Sequence, residues 1–385
     1  MTEPFKLLLD PAVVRALGHH LHRVAPAFDR PQFERRALDG LDLLELKARA
    51  MHVADALEAT LPGGFSDGAA WLEAALAPAV QGDDLGALRT GPHGLAGWAL
   101  WPVGEWVARR GLDDPARALQ SLHALTQRFT AEWAIRPLLL RHPALTFATL
   151  RRWCDDPSPH VRRLVSEGSR PRLPWGLQLR PLIADPSPTL PLLAALQDDP
   201  SPYVRRSVAN HLNDIAKDHP GVVADWLARH LPQASAERRT LLRHASRSLI
   251  KAGDPAVLAA WGQGEALQGR AELTVTPAQI TLGDSLTVSA MLTSLSRQPQ
   301  ALVVDYVIHH VKANGSTSPK VFKGWNLTLA PGETRTLVKR HAVRPITTRV
   351  YHSGEHRVEL QVNGAVVAAA VFALRVVPEV SPGAG

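Results

Sequence analysis

The chain has 385 residues, room for two to three domains at roughly 150 residues each, and 45% hydrophobic against 21% charged residues is enough to bury cores and exclude general disorder. One cysteine, Cys154, excludes a disulfide framework and a multi-cysteine zinc site. The formal charge of +7 is uneven: residues 1–127 carry 12 basic and 16 acidic side chains, 128–269 carry 19 and 13, and 270–385 carry 12 and 7. A basic middle and end suit a polyanionic partner, since each phosphate neutralised releases counterions. Nothing approaches the ~20 apolar residues of a membrane span. Met1-Thr-Glu-Pro-Phe-Lys-Leu-Leu-Leu-Asp10 is too acidic and too short in apolar residues for a signal peptide, so no membrane and a cytoplasmic location are expected.

Residues 1–127 read as helices, the N-terminal helical part of a solenoid. Phe33 to Leu57 places apolar residues at helical spacing, and Leu61-Pro-Gly-Gly64 closes the run. His19, His20 and His22 crowd one stretch but lack a His-Glu-x-x-His pattern, and read as helix histidines.

Between 128 and 262 the chain repeats. Asp155-Asp-Pro-Ser-Pro-His-Val-Arg-Arg163 returns 43 residues later as Asp198-Asp-Pro-Ser-Pro-Tyr-Val-Arg-Arg206, inside the ~40–47 residue period of HEAT repeats, with a shorter echo in Ser235-Ala-Glu-Arg-Arg239. Asp-Pro-Ser-Pro starts a helix: Asp or Ser caps free N–H groups and proline fits the first turn. Val161/Leu164/Val165 and Val204/Val208/Leu212 form the buried stripes. In register, Arg162, Arg163, Arg205, Arg206, Arg238 and Arg239 are expected to line one edge as a ladder for a phosphate backbone.

After a linker at 263–269 the period falls to two over 270–380. Leu286/Val288/Ala290/Leu292, Leu302/Val304/Tyr306/Ile308 and Val358/Leu360/Val362 alternate with polar residues, and about seven strands in some 110 residues suit an immunoglobulin-like sandwich without its disulfide. The fold class is thus an all-α HEAT-like solenoid followed by an all-β immunoglobulin-like sandwich. Arg297, Lys312, Lys320, Lys323, Arg344 and Arg349, in or beside predicted turns, would let the sandwich grip the same polyanion; the alternative is a spacer or protein-interaction module.

Phosphate-binding, dinucleotide, nucleophile-elbow and metal signatures are missing from the sequence. What remains is a set of carboxylates and tryptophans in the basic repeats: Glu132-Trp133, the stretch from Ser166 to Trp175, and Asn210-His-Leu-Asn-Asp214. Glu167 lies 43 residues before Asn210, so the repeat puts both on one face, and Asp214 follows a helical turn later. Without further information Glu132 reads as a surface acid paired with Arg136 at i+4, Asp214 as either cap or site, and Trp175 as either loop core or site.

Ala131-Glu-Trp-Ala-Ile-Arg-Pro137, the run from Val165 to Gly176 and the run from Tyr203 to Pro220 resemble the AlkC-type alkylbase DNA glycosylases of the HEAT-like-repeat superfamily. Leu44-Glu-Leu-Lys-Ala-Arg49 and Gly97-Trp-Ala-Leu-Trp-Pro-Val-Gly104 resemble them too, so the similarity covers most of residues 28–262. It implies a base-excision enzyme, needing no cofactor, that removes cationic bases such as 3-methyladenine and 3-methylcytosine from double-stranded DNA without full base flipping. The resemblance implies Glu132, Glu167 and Asp214 as catalytic carboxylates and Trp175 as an aromatic face for the base or sugar, with Trp133 and Trp153 as weaker candidates. Arg170 and Arg172 would hold flanking phosphates, and Asn210 and Asn213 would touch DNA. A monomer is expected. The competing reading is a non-catalytic HEAT-repeat protein that binds damaged DNA or serves as a scaffold.

Overall fold

The computed structural model describes residues 5–376 apart from 80–81, 83–85, 87, 263–264 and 347–348, so part of the expected linker and residues 377–380 of the expected last domain lie outside the described residues. The chain divides into two compact units, residues 1–219 with 234–245, and residues 220–233 with 246–385.

The first unit is helical: α1 (Pro11–Val24), α2 (Arg30–Leu38), α3 (Leu46–Thr60), α4 (Phe65–Ala74), α5 (Leu100–Arg110), α6 (Pro115–Thr126), α7 (Arg136–Arg141), α8 (Pro143–Trp153), α9 (Pro159–Gly168), α10 (Arg180–Ala184), α11 (Leu190–Leu196) and α12 (Pro202–Ile215). Helix α13 (Pro220–His230) belongs to the second unit, and α14 (Ala236–Ala245) returns to the first. The single helical run expected from Phe33 to Leu57 is broken. Gly40 takes a left-handed φ of 68° and a 3-10 turn, Leu41–Leu43, separates α2 from α3.

The repeated motif starts its helices as its composition predicts, with the aspartates closing the turn. Asp156 Oδ1 accepts from Ser158 N at 2.8 Å, and Asp199 Oδ1 accepts from Ser201 N at 2.8 Å. Pro159 and Pro202 then occupy the first turns, where a missing N–H costs nothing. The shorter echo also begins a helix, since Ser235 Oγ accepts from Arg238 N at 3.2 Å. Val161, Leu164, Val165, Val204, Val208 and Leu212 are all buried, each contributing about 1.5–3 kcal/mol relative to exposure. Helices α9, α12 and α14 pack in succession, which brings equivalent positions of the repeat alongside one another.

The second unit holds α13, α15 (Arg247–Ala252), α16 (Pro255–Ala260) and strands β1 (Gly269–Thr276), β2 (Gln279–Thr281), β3 (Ser285–Ser294), β4 (Gln300–Val311), β5 (Thr317–Leu329), β6 (Thr334–Ala342), β7 (Gly354–Val362) and β8 (Ala365–Arg375). One sheet runs β1-β3-β6 and the other β2-β8-β7-β4-β5; β3 and β7 show the expected alternation, whereas β4, expected to alternate with polar residues, is buried almost throughout. Two apolar clusters lie between the sheets, one around Val288, Ile308, Val358 and Phe372, the other around Leu292, Val304, Leu337 and Leu360. Lys320 and Lys323 lie within strand β5 rather than in a turn, whereas Lys312 does sit between β4 and β5.

Strand β4 is buried on both faces, because Val303, Asp305 and Val307 are covered as well as its core-facing residues. Ile250, Gly253 and Leu258 of the α15–α16 hairpin share a small cavity wall with Val303, Asp305 and Gly364. Gly253 caps α15 at φ 76°, and a Cβ there would lie 2.7 Å from Gly364 Cα. Gly253→Ala is therefore expected to destabilise this unit by roughly 1–3 kcal/mol. Thermal melting checks it; an unchanged midpoint would mean that the hairpin does not depend on this close approach.

Candidate functional site

Three carboxylates from separate segments are buried in one alternating chain of charge. Glu132 lies in the turn before α7, Glu167 near the end of α9 and Asp214 near the end of α12, and none is more than 7% exposed. Glu132 Oε2 meets Arg163 Nη1 at 2.6 Å and accepts from Thr130 Oγ1 at 2.7 Å. Arg163 Nη2 lies 3.6 Å from Glu167 Oε1, which accepts from Arg170 Nη1 at 2.5 Å, while Glu167 Oε2 accepts from Ser207 Oγ at 2.5 Å. Arg170 Nε donates to Asp214 Oδ2 at 2.8 Å, and Lys217 Nζ donates to Asp214 Oδ1 at 2.8 Å. Three acids and three bases balance.

Burial alone would raise the Glu167 carboxyl, but Arg163 and Arg170, with hydrogen bonds from Ser207 and Arg170, hold it below the usual carboxylate range. Burial lowers the affinity of Arg163 for its proton, yet Glu132 and Glu167 outweigh this and push it up. The Arg163 guanidinium also lies over the Tyr203 ring, 5.2 Å from its centroid. Neutral His211 packs against the same cluster. Burial drives its pKa down to about 4, and its Nδ1 lies 2.9 Å from the Ser166 carbonyl.

Arg136 does not pair with Glu132 as its spacing suggests. It is fully buried and gives its hydrogen bonds to carbonyls of the following loop: Gly168 at 2.9 Å, Arg170 at 2.8 Å, Pro171 at 3.3 Å and Leu177 at 2.5 Å. Burial, with Arg170 nearby, lowers its pKa to about 10. Its place in Ala131-Glu-Trp-Ala-Ile-Arg-Pro137 was the available signal, but a role in binding carbonyls is not legible from i+4 spacing.

This loop carries Trp175, which is 59% exposed and adopts φ 62°, a left-handed conformation that costs a bulky residue roughly 1–3 kcal/mol. Its ring is parallel to that of Trp101, with centroids 6.2 Å apart, and Trp101 stacks on Trp133 at 4.4 Å. Trp175 is therefore a presented aromatic rather than loop core. Trp153 is elsewhere, 5.5 Å from His123 beside a cavity between α6 and α8.

The six repeat arginines occupy three kinds of position. Arg162 and Arg205 each bind the carbonyls of their own Asp-Pro, at Asp156 and Pro157 or Asp199 and Pro200, and Arg162 also makes a bidentate pair with Asp199 at 2.6 and 3.0 Å. Arg238 pairs with Asp198 at 2.7 Å. Arg163 is drawn inward to Glu132, whereas its register mate Arg206 is exposed and, with Arg205, His244 and Thr240, lines an open cavity of about 370 Å³. Arg239 is exposed.

Arg170 is buried between Glu167 and Asp214, which takes the place of the phosphate-holding position its sequence suggested, and Arg172 makes a bidentate pair with Asp218 at 2.7 and 2.8 Å. Asn210 Oδ1 lies 2.8 Å from His244 Nε2. Asn213, register mate of Arg170, is 6% exposed with its Oδ1 buried and unpartnered. In the second unit Arg297 is exposed on the β3–β4 loop, Arg344 is exposed and Arg349 half-buried. Among the described residues no cluster of three or more His, Cys, Asp and Glu is arranged for a metal ion, and no helix is long and apolar enough to cross a membrane.

Helical HEAT-like repeats with a C-terminal immunoglobulin-like sandwich define the class of protein. The family model described as "Uncharacterised protein YhaZ, C-terminal Ig-like domain" matches residues 269–376. The chain is 35% identical over 371 residues to the uncharacterized protein YhaZ of Bacillus subtilis (strain 168), spanning 94% of this chain and 96% of that protein. The solved structure of the Pseudomonas fluorescens alkylpurine DNA glycosylase AlkC, bound to DNA containing an abasic site analog, matches with a TM-score of 0.85 at 36% identity, over 97% of this chain and 100% of that one. The chain belongs to the AlkC family.

Proposed function

We propose that this protein is a DNA glycosylase that hydrolyses the N-glycosidic bond of cationic N-alkylated bases, 3-methyladenine and 3-methylcytosine among them, in double-stranded DNA. The observation that carries the reading is the assembly of Glu132, Glu167 and Asp214 into one buried charge cluster, in a chain 36% identical to AlkC. In the usual glycosidase pair one carboxyl donates a proton to the leaving group and the other supports the oxocarbenium-like sugar. An acid of that kind needs a raised pKa. Glu167 has a lowered one, and as an anion it suits the second role alone.

A base alkylated on a ring nitrogen requires nothing more. The C1′–N bond breaks with its electron pair passing to the base, which leaves neutral; a water oxygen bonds to C1′ and its proton passes to solvent. The carboxylates stabilise the cationic sugar and orient the water, effects that make electrostatics commonly the largest catalytic contribution. No step moves electrons to or from a cofactor. Arg170 keeps Glu167 and Asp214 together, and Trp175 offers its face to the base or sugar.

Release of 3-methyladenine or 3-methylcytosine from methylated duplex under single-turnover conditions tests the reading, and a rate no higher than spontaneous loss would remove it. The competing reading, a protein that binds damaged DNA without cutting the bond, draws on the fact that every one of these carboxylates already has protein partners. It expects tight binding with no release.

Phosphate contacts in this reading fall to exposed cations such as Arg206. Arg206→Ala is expected to weaken binding to all duplexes alike and to reduce the slope of log affinity against log salt by about 0.9, the contribution of one phosphate. An unchanged slope in a salt titration would take Arg206 out of the interface.

A further inference from the structure

The loop that presents Trp175 is held by three carbonyls in near succession, two met by donors from the stretch 131–137 and the one between them by a donor from α3. Pro174 O accepts from Trp133 Nε1 at 3.2 Å, Trp175 O from Lys47 Nζ at 2.7 Å and Leu177 O from Arg136 Nε at 2.5 Å. A bulky residue in the left-handed region persists only where its surroundings over-determine it. Arg136 and Trp133 bind on either side of the strained residue, and Lys47, from the first turn of α3, binds the carbonyl of that residue itself. Lys47 is separated from Trp175 by 128 positions and belongs to the otherwise unassigned helical start of the chain.

We propose that Lys47 is a positioning residue, which acts through Trp175 by fixing its peptide so that the indole is already turned outward when damaged DNA arrives. This rests on the glycosylase reading for its catalytic consequence, but the contact itself concerns recognition of the lesion. An exposed side chain with free rotation loses entropy on stacking, and a peptide held from behind removes part of that loss in advance. The ammonium is well suited to this, because a carbonyl oxygen accepts strongly from a charged donor. Lys47 is also exposed, so a direct phosphate contact is the rival role, and the two differ in what they predict.

The experiment is a double-mutant cycle with Lys47→Met, Trp175→Ala and the pair, read both as single-turnover release of 3-methyladenine and as affinity for a duplex containing an abasic site analogue. Lys47→Met is expected to slow release ~10- to ~100-fold, the usual consequence of a slightly misplaced group. It should weaken abasic-site binding, leave undamaged duplex binding and the salt slope unchanged, and have no further effect once Trp175 is Ala. Lys47→Arg, which keeps a charged donor, should restore most of the activity, and matched melting temperatures separate these effects from loss of fold. Additive losses in the two backgrounds, or a salt slope reduced by about 0.9 in Lys47→Met, would overturn the proposal in favour of a phosphate contact. Release absent from the wild type would instead remove the glycosylase reading, and the binding cycle would still decide whether Lys47 acts through Trp175.

Discussion

Glu167→Gln is expected to lower single-turnover base release by roughly 10²- to 10⁴-fold while DNA affinity is kept or improved. Among the three carboxylates this change is the cleanest to make. Gln keeps one oxygen for Arg170, and the Ser207 hydroxyl, which now donates to Glu167, can rotate to accept from the new amide instead. Asp214→Asn is harsher, because both Asp214 oxygens face cationic donors, Arg170 and Lys217, and an amide nitrogen would face one of them.

Removing the Glu167 charge leaves the cluster with one excess positive charge, which opposes a developing sugar cation but not the binding of a polyanion. Loss of release with retained affinity is therefore the signature of a catalytic carboxylate. A rate within threefold of wild type would move the role to Glu132 or Asp214. The same ionisation sets the pH profile. Since the folded carboxyl of Glu167 lies below its ordinary range, release should be flat through neutral pH and fall only as acid protonates the group.

Arg163→Met is expected to be the most damaging single change to stability, about 3–5 kcal/mol, because it leaves Glu132 and Glu167 buried without their shared cation. In a unit of this size that is a melting temperature lower by roughly 10 °C. Its register mate supplies the control: Arg206→Met, at an exposed site, should stay within ~0.5 kcal/mol. Equal losses in the two variants would mean that the buried pairs contribute nothing beyond the helix start they share.

The acid side carries a sign. In the wild type the lowered Glu167 pKa gives stability that is complete above the unfolded value and lost as pH falls through the folded one. Without Arg163 the balance at Glu167 shifts toward burial, which raises the pKa, so the variant regains stability as the carboxyl takes up a proton. The gap between the two proteins should narrow from pH 7 to pH 4, and a constant gap would put the loss elsewhere.

Much of the fold was legible because its signals are local. The helix starts follow from Asp-Pro-Ser-Pro, where a side chain and two pyrrolidine rings act within four residues, and the sandwich follows from period-two runs whose alternate residues must be buried. The break between α2 and α3 was also written in Asp39-Gly40, but the apolar spacing on either side masked it. The double burial of β4 was not legible, since a continuous covered strand depends on the α15–α16 hairpin packed over its outer face.

At the site the same division holds. The sequence by itself determined which groups could do the chemistry: carboxylates and tryptophans in a basic repeat, with Glu167 and Asp214 brought to one face by a 43-residue register. Tertiary structure decided which of those groups are buried and which distant partners join the local ion pairs. Two copies of Val-Arg-Arg start their helices alike, yet they differ at i+4, where the first has Glu167 and the second Asn210, and folding adds the distant Glu132 to the first alone, so Arg163 is buried between two carboxylates and Arg206 stays at the surface. Trp175 could have been core or platform from its neighbours in sequence, and became a platform because donors from α3, α7 and the turn before α7 converge on its loop. Helix starts, strand alternation and the i+3 and i+4 ion pairs of Glu167 and Asp214 are set by interactions a few residues long, whereas the burial of the cluster and the strain at Trp175 also depend on distant neighbours such as Lys47, 128 positions from Trp175, and only folding brings those into contact.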